Sequence, residues 1–214
     1  MQFDYTDIKE MPKIQRLNLI NSITGIKPGN LIGTKSNDGQ SNLAVISSIV
    51  HLGSNPALLG FILRPQIDVR RHTYENILST GVYTINHIHE DFIAQAHYTS
   101  AKFPADVSEF KACDLTEVYH HACYAPFVKE SPLQIGMKYL ESVKIEANNT
   151  LMVVGQIEHI YIDENALSKE NYVNLETLGS VGIGGLNSYY RLSKIGEFPY
   201  ARPHETPDFT NEKK

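Results

Sequence analysis

The sequence predicts a mainly β protein, built as an antiparallel barrel with a few short helices. Three observations lead to this fold class. Several pairs of apolar runs are separated by turn residues, helical patterns are few and short, and the strand–helix–strand alternation of a parallel sheet is absent. No repeat, low-complexity tract or Gly/Ser-rich linker divides the 214 residues, so we expect a single domain over residues 1–214.

The first pair of strands is predicted at Leu31 to Thr34 and Leu43 to Val50. Asn37-Asp38-Gly39 lies between these runs, and residues of these types tolerate the positive φ angles that tight hairpin turns require. The sequence therefore predicts a β-hairpin at this point.

The middle of the chain alternates between strand and helix patterns. Ala57 to Leu63 is a nearly continuous apolar run, which predicts a strand buried on both faces. Thr73 is a favourable N-cap for a short helix through Leu78, and Gly81 follows where helices commonly end. A strand over residues 82–86 and a second helix over residues 90–98 come next.

A second hairpin is predicted in the C-terminal half. Residues 138–147 alternate as a strand does, Asn148-Asn149 forms a turn signal, and residues 151–162 form a long return strand. Paired strands joined in this way favour an antiparallel sheet.

Composition and charge exclude several classes of partner. The formal net charge is −5 with scattered lysines, so the chain lacks the basic field that binds nucleic acid or a membrane surface. The first residues have neither a basic nor an apolar leader pattern, and no apolar run is long enough to span a membrane, which predicts a cytoplasmic protein. We expect Cys113 and Cys123 to be reduced, because one bridge is not the density of a secreted scaffold.

Polar side chains lie along the first hairpin in an otherwise apolar setting. Their hydroxyls and amides suit a ligand with a polyol and a phosphate, although strands also tolerate such residues without any ligand. The residues are Thr34, Asn42, Ser47 and Ser48.

Three arginines follow the next strand, at positions 64, 70 and 71. A guanidinium group binds phosphate oxygens in a bidentate manner, and the free amides of the helix that begins at Thr73 could face the same anion. The alternatives are solvated loop charges and a helix cap with no ligand.

Several motifs, in order and spacing, make the chain resemble a known family. They are Asn30-Leu-Ile-Gly-Thr34, Ser41-Asn-Leu-Ala-Val45, Ser47-Ser48, Ser54-Asn-Pro-Ala-Leu58, Thr73-Tyr-Glu-Asn-Ile77, Thr80-Gly-Val-Tyr-Thr-Ile-Asn86 and Ser108-Glu-Phe110. The resemblance is to the flavin reductase-like family, the FMN-binding split β-barrels that include flavoredoxins. It covers roughly residues 14–198, leaving only the two tails outside.

The resemblance implies a split barrel that binds FMN, and a homodimer with each flavin close to the subunit interface. It implies that the ribityl chain and the ring lie along Thr34, residues 42–44 and residues 47–48. It also implies that the phosphate binds near Arg64 and the start of the helix at Thr73. The implied cofactor-binding residues are Thr34, Asn42, Leu43, Ala44, Ser47, Ser48, Arg64 and Thr73. Tyr189 or Tyr190 would either stack near the ring or serve packing alone.

The implied activity is that of an FMN-dependent reductase, with NADH or NADPH delivering hydride to the flavin and electrons passing on to an acceptor. Because the cofactor carries this chemistry, no catalytic side chain is assigned. One alternative is a flavoredoxin-type electron carrier that does not turn over NAD(P)H. Another is a split barrel that has lost flavin and binds a different ligand.

Two other motifs are set aside. His120-His121-Ala122-Cys123 lacks the second ligand pair of a zinc site, and His87 with His89 lacks a third ligand, so we expect no metal. The glycines of residues 179–185 do not form a dinucleotide loop, because only 29 residues follow Gly185. We expect a bend there, lining the flavin pocket or the dimer interface.

Overall fold

A computed structural model of the chain describes residues 1–65, 72–104, 106–120 and 123–209. The helices are α1 (Tyr5–Glu10), α2 (Lys13–Ser22), α3 (His72–Thr80), α4 (Ile93–Tyr98) and α5 (Glu109–Ala112). The first strands are β1 (Lys27–Pro28), β2 (Asn30–Lys35), β3 (Ser41–Ile46), β4 (Val50–Ser54), β5 (Ala57–Leu63) and β6 (Val82–His87). The later strands are β7 (Glu117–Val118), β8 (Phe127–Val128), β9 (Leu133–Ile145), β10 (Thr150–Ile162), β11 (Val181–Gly184) and β12 (Ser188–Arg191). In the part of the chain described, no helix is long and apolar enough to cross a membrane.

The main sheet has seven antiparallel strands in the order β3-β2-β6-β9-β10-β5-β4. Its two edge strands, β3 and β4, are consecutive in the chain and are separated only by residues 47–49. Four residue steps span at most about 14 Å, so the edges must approach each other at this corner. The sheet therefore curls into a split barrel, which confirms the predicted fold class.

The first hairpin forms as predicted, but its second strand is shorter. β3 ends at Ile46, the chain turns through residues 47–49, and Val50 already belongs to β4. The connection between β2 and β3 spans residues 36–40, and of the Asn37-Asp38-Gly39 triplet only Gly39 has a positive φ, +88°. A loop of this length needs one left-handed residue at its end instead of two at its centre.

The middle elements form where they were predicted, although α3 ends at Thr80 instead of Leu78 and β6 ends one residue later than predicted, at His87. β5 has the predicted bounds, and Gly81 ends α3 with a φ of +73° and an N–H bond of 2.8 Å to the Ile77 carbonyl oxygen. However, α3 as described begins at His72, so Thr73 lies inside the helix and the prediction that it is the N-cap is wrong. The helix predicted over residues 90–98 begins as a 3₁₀ turn, Glu90–Phe92, and continues as α4.

The second hairpin is longer than its pattern indicated. β9 begins at Leu133, five residues before the predicted start, and β10 begins at Thr150. The first five residues of β9 are all buried, so they do not show the alternation by which a half-exposed strand is recognised. Asn149 forms the turn with a φ of +57°.

Two hydrophobic cores lie on opposite faces of β2. The barrel interior contains Ile32, Phe61, Ile77, Tyr83, Ile85, Met137 and Val153. The outer core, beneath α4 and α5, contains Leu31, Leu43, Ile88, Phe92, Phe110, Val181 and Ile183. Because successive side chains of a strand alternate, Leu31 and Ile32 enter different cores. Strand β2 is thereby buried on both faces, and its polar residues are shielded from solvent.

The glycine-rich segment near the C-terminus is a strand, which corrects the expected bend. β11 lies between β1 and β12 in a three-stranded sheet, and the bends occur at Gly179 and Gly185, with φ of +59° and +61°. A Cβ at Gly182 would lie 2.2 Å from the Ile26 Cγ2 atom. The glycine therefore allows close packing on the N-terminal segment.

Candidate functional site

Three of the predicted residues meet in a buried polar cluster, which also contains Asn76. Thr34 and Asn42 are opposite each other in the β2–β3 ladder, and Asn42 Nδ2 lies 3.3 Å from Thr34 Oγ1 and 3.0 Å from Thr73 Oγ1. Asn76 Nδ2 donates to Thr34 Oγ1 at 3.1 Å. All four side chains are buried. We call Thr34, Asn42, Thr73 and Asn76 the polar cluster.

The sequence prediction missed Asn76. It lies three residues after Thr73 in the same helix, so the two side chains share one face of α3. That spacing is the signal that could have identified it.

The polar cluster leaves hydroxyl hydrogens available for a ligand. Thr34 Oγ1 accepts two N–H bonds and Thr73 Oγ1 accepts one, while neither hydroxyl donates to an acceptor within the described ranges. A hydroxyl group has one hydrogen to donate, so within those ranges both threonines retain a donor. Thr34 is 0% exposed and Thr73 is 7% exposed, so Thr73 is the donor that a ligand can reach. An anionic oxygen is the acceptor that such a donor binds most strongly.

Leu43 and Ala44 are adjacent on β3 but face different surroundings. The Leu43 side chain is fully buried in the outer core, and its N–H donates to Glu109 Oε2 at 2.9 Å. Ala44 is opposite Ile32, is partly exposed and has the same strand parity as Asn42. A binding role for Leu43 therefore rests on its carbonyl group, whereas Ala44 presents a small side chain on the polar-cluster face.

Ser47 and Ser48 occupy the corner where the barrel edges meet. The Ser48 hydroxyl accepts from the Ile62 N–H at 3.0 Å and donates to the Ile62 carbonyl oxygen at 3.2 Å. It thereby links the corner before β4 to β5. Ser47 is partly exposed, and its hydroxyl has no hydrogen-bond partner among the residues described. Ser47 is therefore the one of the pair whose hydroxyl is free for a ligand.

Arg64 supplies a positive charge just beyond β5, the strand to which Ser48 bonds. It follows Leu63 directly and is exposed. Its guanidinium forms no ion pair with any residue that the structure describes. Arg70 and Arg71, the other two predicted phosphate ligands, lie outside the described residues.

Glu109, which bonds to β3, and His87, which lies in β6, have shifted pKa values. Burial raises the pKa of the Glu109 carboxyl, and the Leu43 N–H and the nearby His72 oppose that rise. Burial lowers the pKa of His87 to about 4, and its Nδ1 atom lies 3.1 Å from the Ser180 hydroxyl oxygen. His87 is therefore neutral at pH 7 and has a structural partner.

The histidine and cysteine motifs form no metal cluster in the described ranges. No group of three His, Cys, Asp or Glu side chains there is placed to hold an ion. His120 Nε2 instead bonds to Gln134 Oε1 at 2.8 Å, and its ring lies 4.4 Å from that of Tyr161. Cys113 and Cys123 are both free thiols. Tyr189 bonds through its hydroxyl to His97 Nδ1 at 3.2 Å, and Tyr190 is exposed.

Two cavities, of about 300 and 380 Å³, lie away from the polar cluster. His120, Lys129 and Tyr161 line the first; His89, Glu130 and Thr177 line the second; Pro132 and Asp163 border both. None of the predicted flavin-binding residues lines either cavity. The predicted site is therefore distinct from both cavities.

The curled antiparallel sheet and its buried hydroxyl–amide cluster define a split-barrel protein with a site suited to an anionic ligand. The family model of the flavin reductase like domain matches residues 26–177. The chain belongs to this family.

Solved structures with the same fold include three informative neighbours. A split-barrel protein of Shewanella frigidimarina NCIMB 400, provisionally assigned as a flavin reductase, is 43% identical, with a TM-score of 0.90 over 94% of this chain and 100% of its own. Flavoredoxin of Desulfovibrio vulgaris (Miyazaki F) is 21% identical, with a TM-score of 0.72 over 83% of this chain and 92% of its own. An FMN-binding protein from Thermus thermophilus is 15% identical, with a TM-score of 0.68 over 81% of this chain and 90% of its own. The last two show the fold alone.

Proposed function

We propose that this protein is an FMN-dependent oxidoreductase that takes hydride from NADH or NADPH and reduces a further acceptor. The observation that carries the proposal is the polar cluster, which offers the Thr73 hydroxyl as a donor beside the N-terminus of α3. Family membership supplies the class of ligand, a flavin. The hydroxyls and amides of the polar cluster suit the single phosphate and the ribityl chain of FMN.

Four of the predicted residues bind the phosphate or border the ribityl chain in this proposal. Arg64 and Thr73 bind the phosphate, by charge and by the hydroxyl with the helix amides. Asn42 donates to both Thr73 and Thr34, and Thr34 and Asn42 border the ribityl chain.

The remaining residues border the ring. Ala44 leaves space for a planar ring, Ser47 offers a hydroxyl, Leu43 offers its carbonyl group, and Ser48 fixes the corner on which the ring rests. When bound, the flavin supplies hydride acceptance and one- or two-electron transfer. The protein's task is to bind, to orient and to exclude water, which requires no general acid or base.

A second candidate function is a flavoredoxin-type electron carrier that holds FMN without turning over NAD(P)H. The fold neighbour named flavoredoxin favours this alternative, because the same barrel serves that protein. A third class, a split barrel that binds another ligand, is tested by whether the protein takes up flavin at all.

We propose that the protein is a homodimer, and its terminal segments supply the surface. Helices α1 and α2 contain no buried residue, although Ile14 and Ile20 of α2 are apolar, as is Ile23 directly after that helix. In the C-terminal tail, Ile195 and Phe198 are almost completely exposed. Apolar groups displayed on this scale mark an interaction surface, and a second copy would cover them. Light scattering after size exclusion would measure the dimer.

The proposal is tested first by an absorbance spectrum of the purified protein and by titration with FMN and FAD. We expect flavin absorbance and tighter binding of FMN than of FAD. The donors near Thr73 form one group, which matches the one phosphate of FMN. Equal or tighter FAD binding, or no affinity for either flavin, would contradict the cofactor assignment.

The second test is anaerobic addition of NADH and then NADPH to the flavin-loaded protein. Bleaching of the flavin within turnover time supports the reductase, and bound flavin that neither nucleotide reduces supports the electron carrier. We further propose a single domain in the cytoplasm, to be checked by limited proteolysis and cell fractionation.

A further inference from the structure

Strand β3 carries three of the proposed flavin-binding residues, and it is an edge strand of the main sheet. Among the residues described it pairs with β2 alone, and Asn42 and Ala44 flank Leu43 along it. An edge strand leaves alternate main-chain groups without a ladder partner, so its position depends on whatever covers that edge. The residues that cover the edge therefore control where Asn42 and Ala44 lie.

The cover is supplied by the residues around α5 and β7. Glu109 accepts the Leu43 N–H at 2.9 Å. The Ser41 hydroxyl lies 2.7 Å from the Ser108 hydroxyl oxygen and donates to Glu117 Oε1 at 2.5 Å. We call Ser108, Glu109 and Glu117 the outer brace.

Helix α5, which carries Glu109, also packs into the outer core behind β3. Phe110, the next residue after Glu109, is buried with Leu43 in the outer core. His72, the first residue of α3, is close enough to Glu109 to lower the pKa of its carboxyl. One carboxylate thus bonds to the main chain of β3 and lies near the start of the helix that contributes Thr73.

We infer that Glu109 is a positioning residue, which fixes the main chain of β3 at Leu43 and thereby places Asn42 and Ala44 against the flavin. The inference rests on the proposed function for its ligand. It also explains the Ser108-Glu109-Phe110 motif: Ser108 and Glu109 hold the strand edge, while Phe110 fills the core beneath it.

The chemistry of the bond gives the expected size of the effect. Loss of a charged acceptor from a main-chain N–H changes an equilibrium constant by about tenfold or more, and Glu109 is half-buried, so its loss frees a donor that water only partly satisfies. Glu109→Ala removes the acceptor. Glu109→Gln keeps a neutral oxygen at the same reach and is the conservative variant.

A matched control exists elsewhere in the chain. Glu130 also accepts a main-chain N–H through its carboxylate, that of Thr116 at 3.1 and 3.2 Å, and it forms no hydrogen bond to β3 among the residues described. Glu130→Ala therefore removes the same kind of bond without releasing the flavin-binding strand.

The experiment measures affinity for FMN and riboflavin, with amide hydrogen exchange at Leu43. For Glu109→Ala we expect both flavins to bind about tenfold more weakly, and Leu43 exchange to be faster by at least a similar factor. We expect Glu109→Gln to recover most of both losses and Glu130→Ala to match the wild type. A merely structural role would lower the melting temperature without this rescue and without selective exchange at Leu43.

Three outcomes would overturn the inference. They are unchanged Leu43 exchange in Glu109→Ala, normal flavin affinity despite faster exchange, and equal effects from Glu130→Ala. If Glu109→Ala does not fold, Ser108→Ala loosens the same edge at Ser41 and must show the same two changes in weaker form. Absence of flavin binding in the wild type would refute the proposed function, while Leu43 exchange would still decide whether Glu109 holds the strand.

Discussion

Replacement of Arg64 by alanine tests the proposed phosphate end of the site most directly. A charge-assisted hydrogen bond to phosphate is worth about 1.5–3 kcal/mol. Arg64 is exposed at the end of β5, where solvent screens its charge, so we expect the lower end of that range. A loss of about 1.4 kcal/mol corresponds to about tenfold weaker FMN binding. Riboflavin has no phosphate, so its affinity should stay within about twofold of the wild type on the same physical argument.

The assay is a fluorescence titration of both flavins at two salt concentrations. The difference between FMN and riboflavin should shrink in high salt, because screening weakens an exposed phosphate contact. Arg202→Ala, a change of the same type in the exposed C-terminal tail, is the control and should alter neither affinity. Equal weakening of FMN and riboflavin by Arg64→Ala would refute the reasoning and make Arg64 a structural residue.

Three further predictions concern the ring site, the barrel packing and the response to acid. Ala44→Leu should slow flavin reduction by NAD(P)H on the order of a hundredfold, since a displacement of about 1 Å can cost that much; stopped-flow bleaching at an unchanged rate in a folded, flavin-loaded variant would contradict it. Gly33→Ala should lower the free energy of unfolding by about 1–3 kcal/mol or more, because its Cβ would lie 2.2 Å from the Pro126 carbonyl oxygen. Gly136→Ala is the control: its nearest contact is 3.4 Å, so a denaturant melt should show a smaller loss. The pKa of His87 falls from 6.5 to about 4 on folding, so the unfolded chain binds the extra proton and stability is lost as pH falls between these values, by up to about 3 kcal/mol. His87→Gln should reduce that slope, and an unchanged slope would assign the acid response to other groups.

The sequence by itself determined the features that depend on neighbouring residues. Gly39 and Asn149 mark turns, and the apolar run of residues 57–63 gave the bounds of β5, because turn geometry and strand propensity act over a few residues. The family motifs pointed to the flavin reductase-like fold, and the matching family and the observed split barrel confirm it. The predicted N-cap at Thr73 and the length of β3 were wrong, since the packing of α3 and the corner at residues 47–49 decide both.

Only the tertiary structure decided which polar groups meet. Asn42 and Thr73 are 31 residues apart in sequence, and Leu43 and Glu109 are 66 apart, yet both pairs are hydrogen-bonded. Whether the hydroxyl of Ser47 or Ser48 is free likewise depends on β5, to whose main chain Ser48 bonds. Such pairings follow from the order in which strands join the sheet and from the helices that cover its edge. Local propensity cannot encode them, because each residue of a pair would form the same strand or helix without its partner.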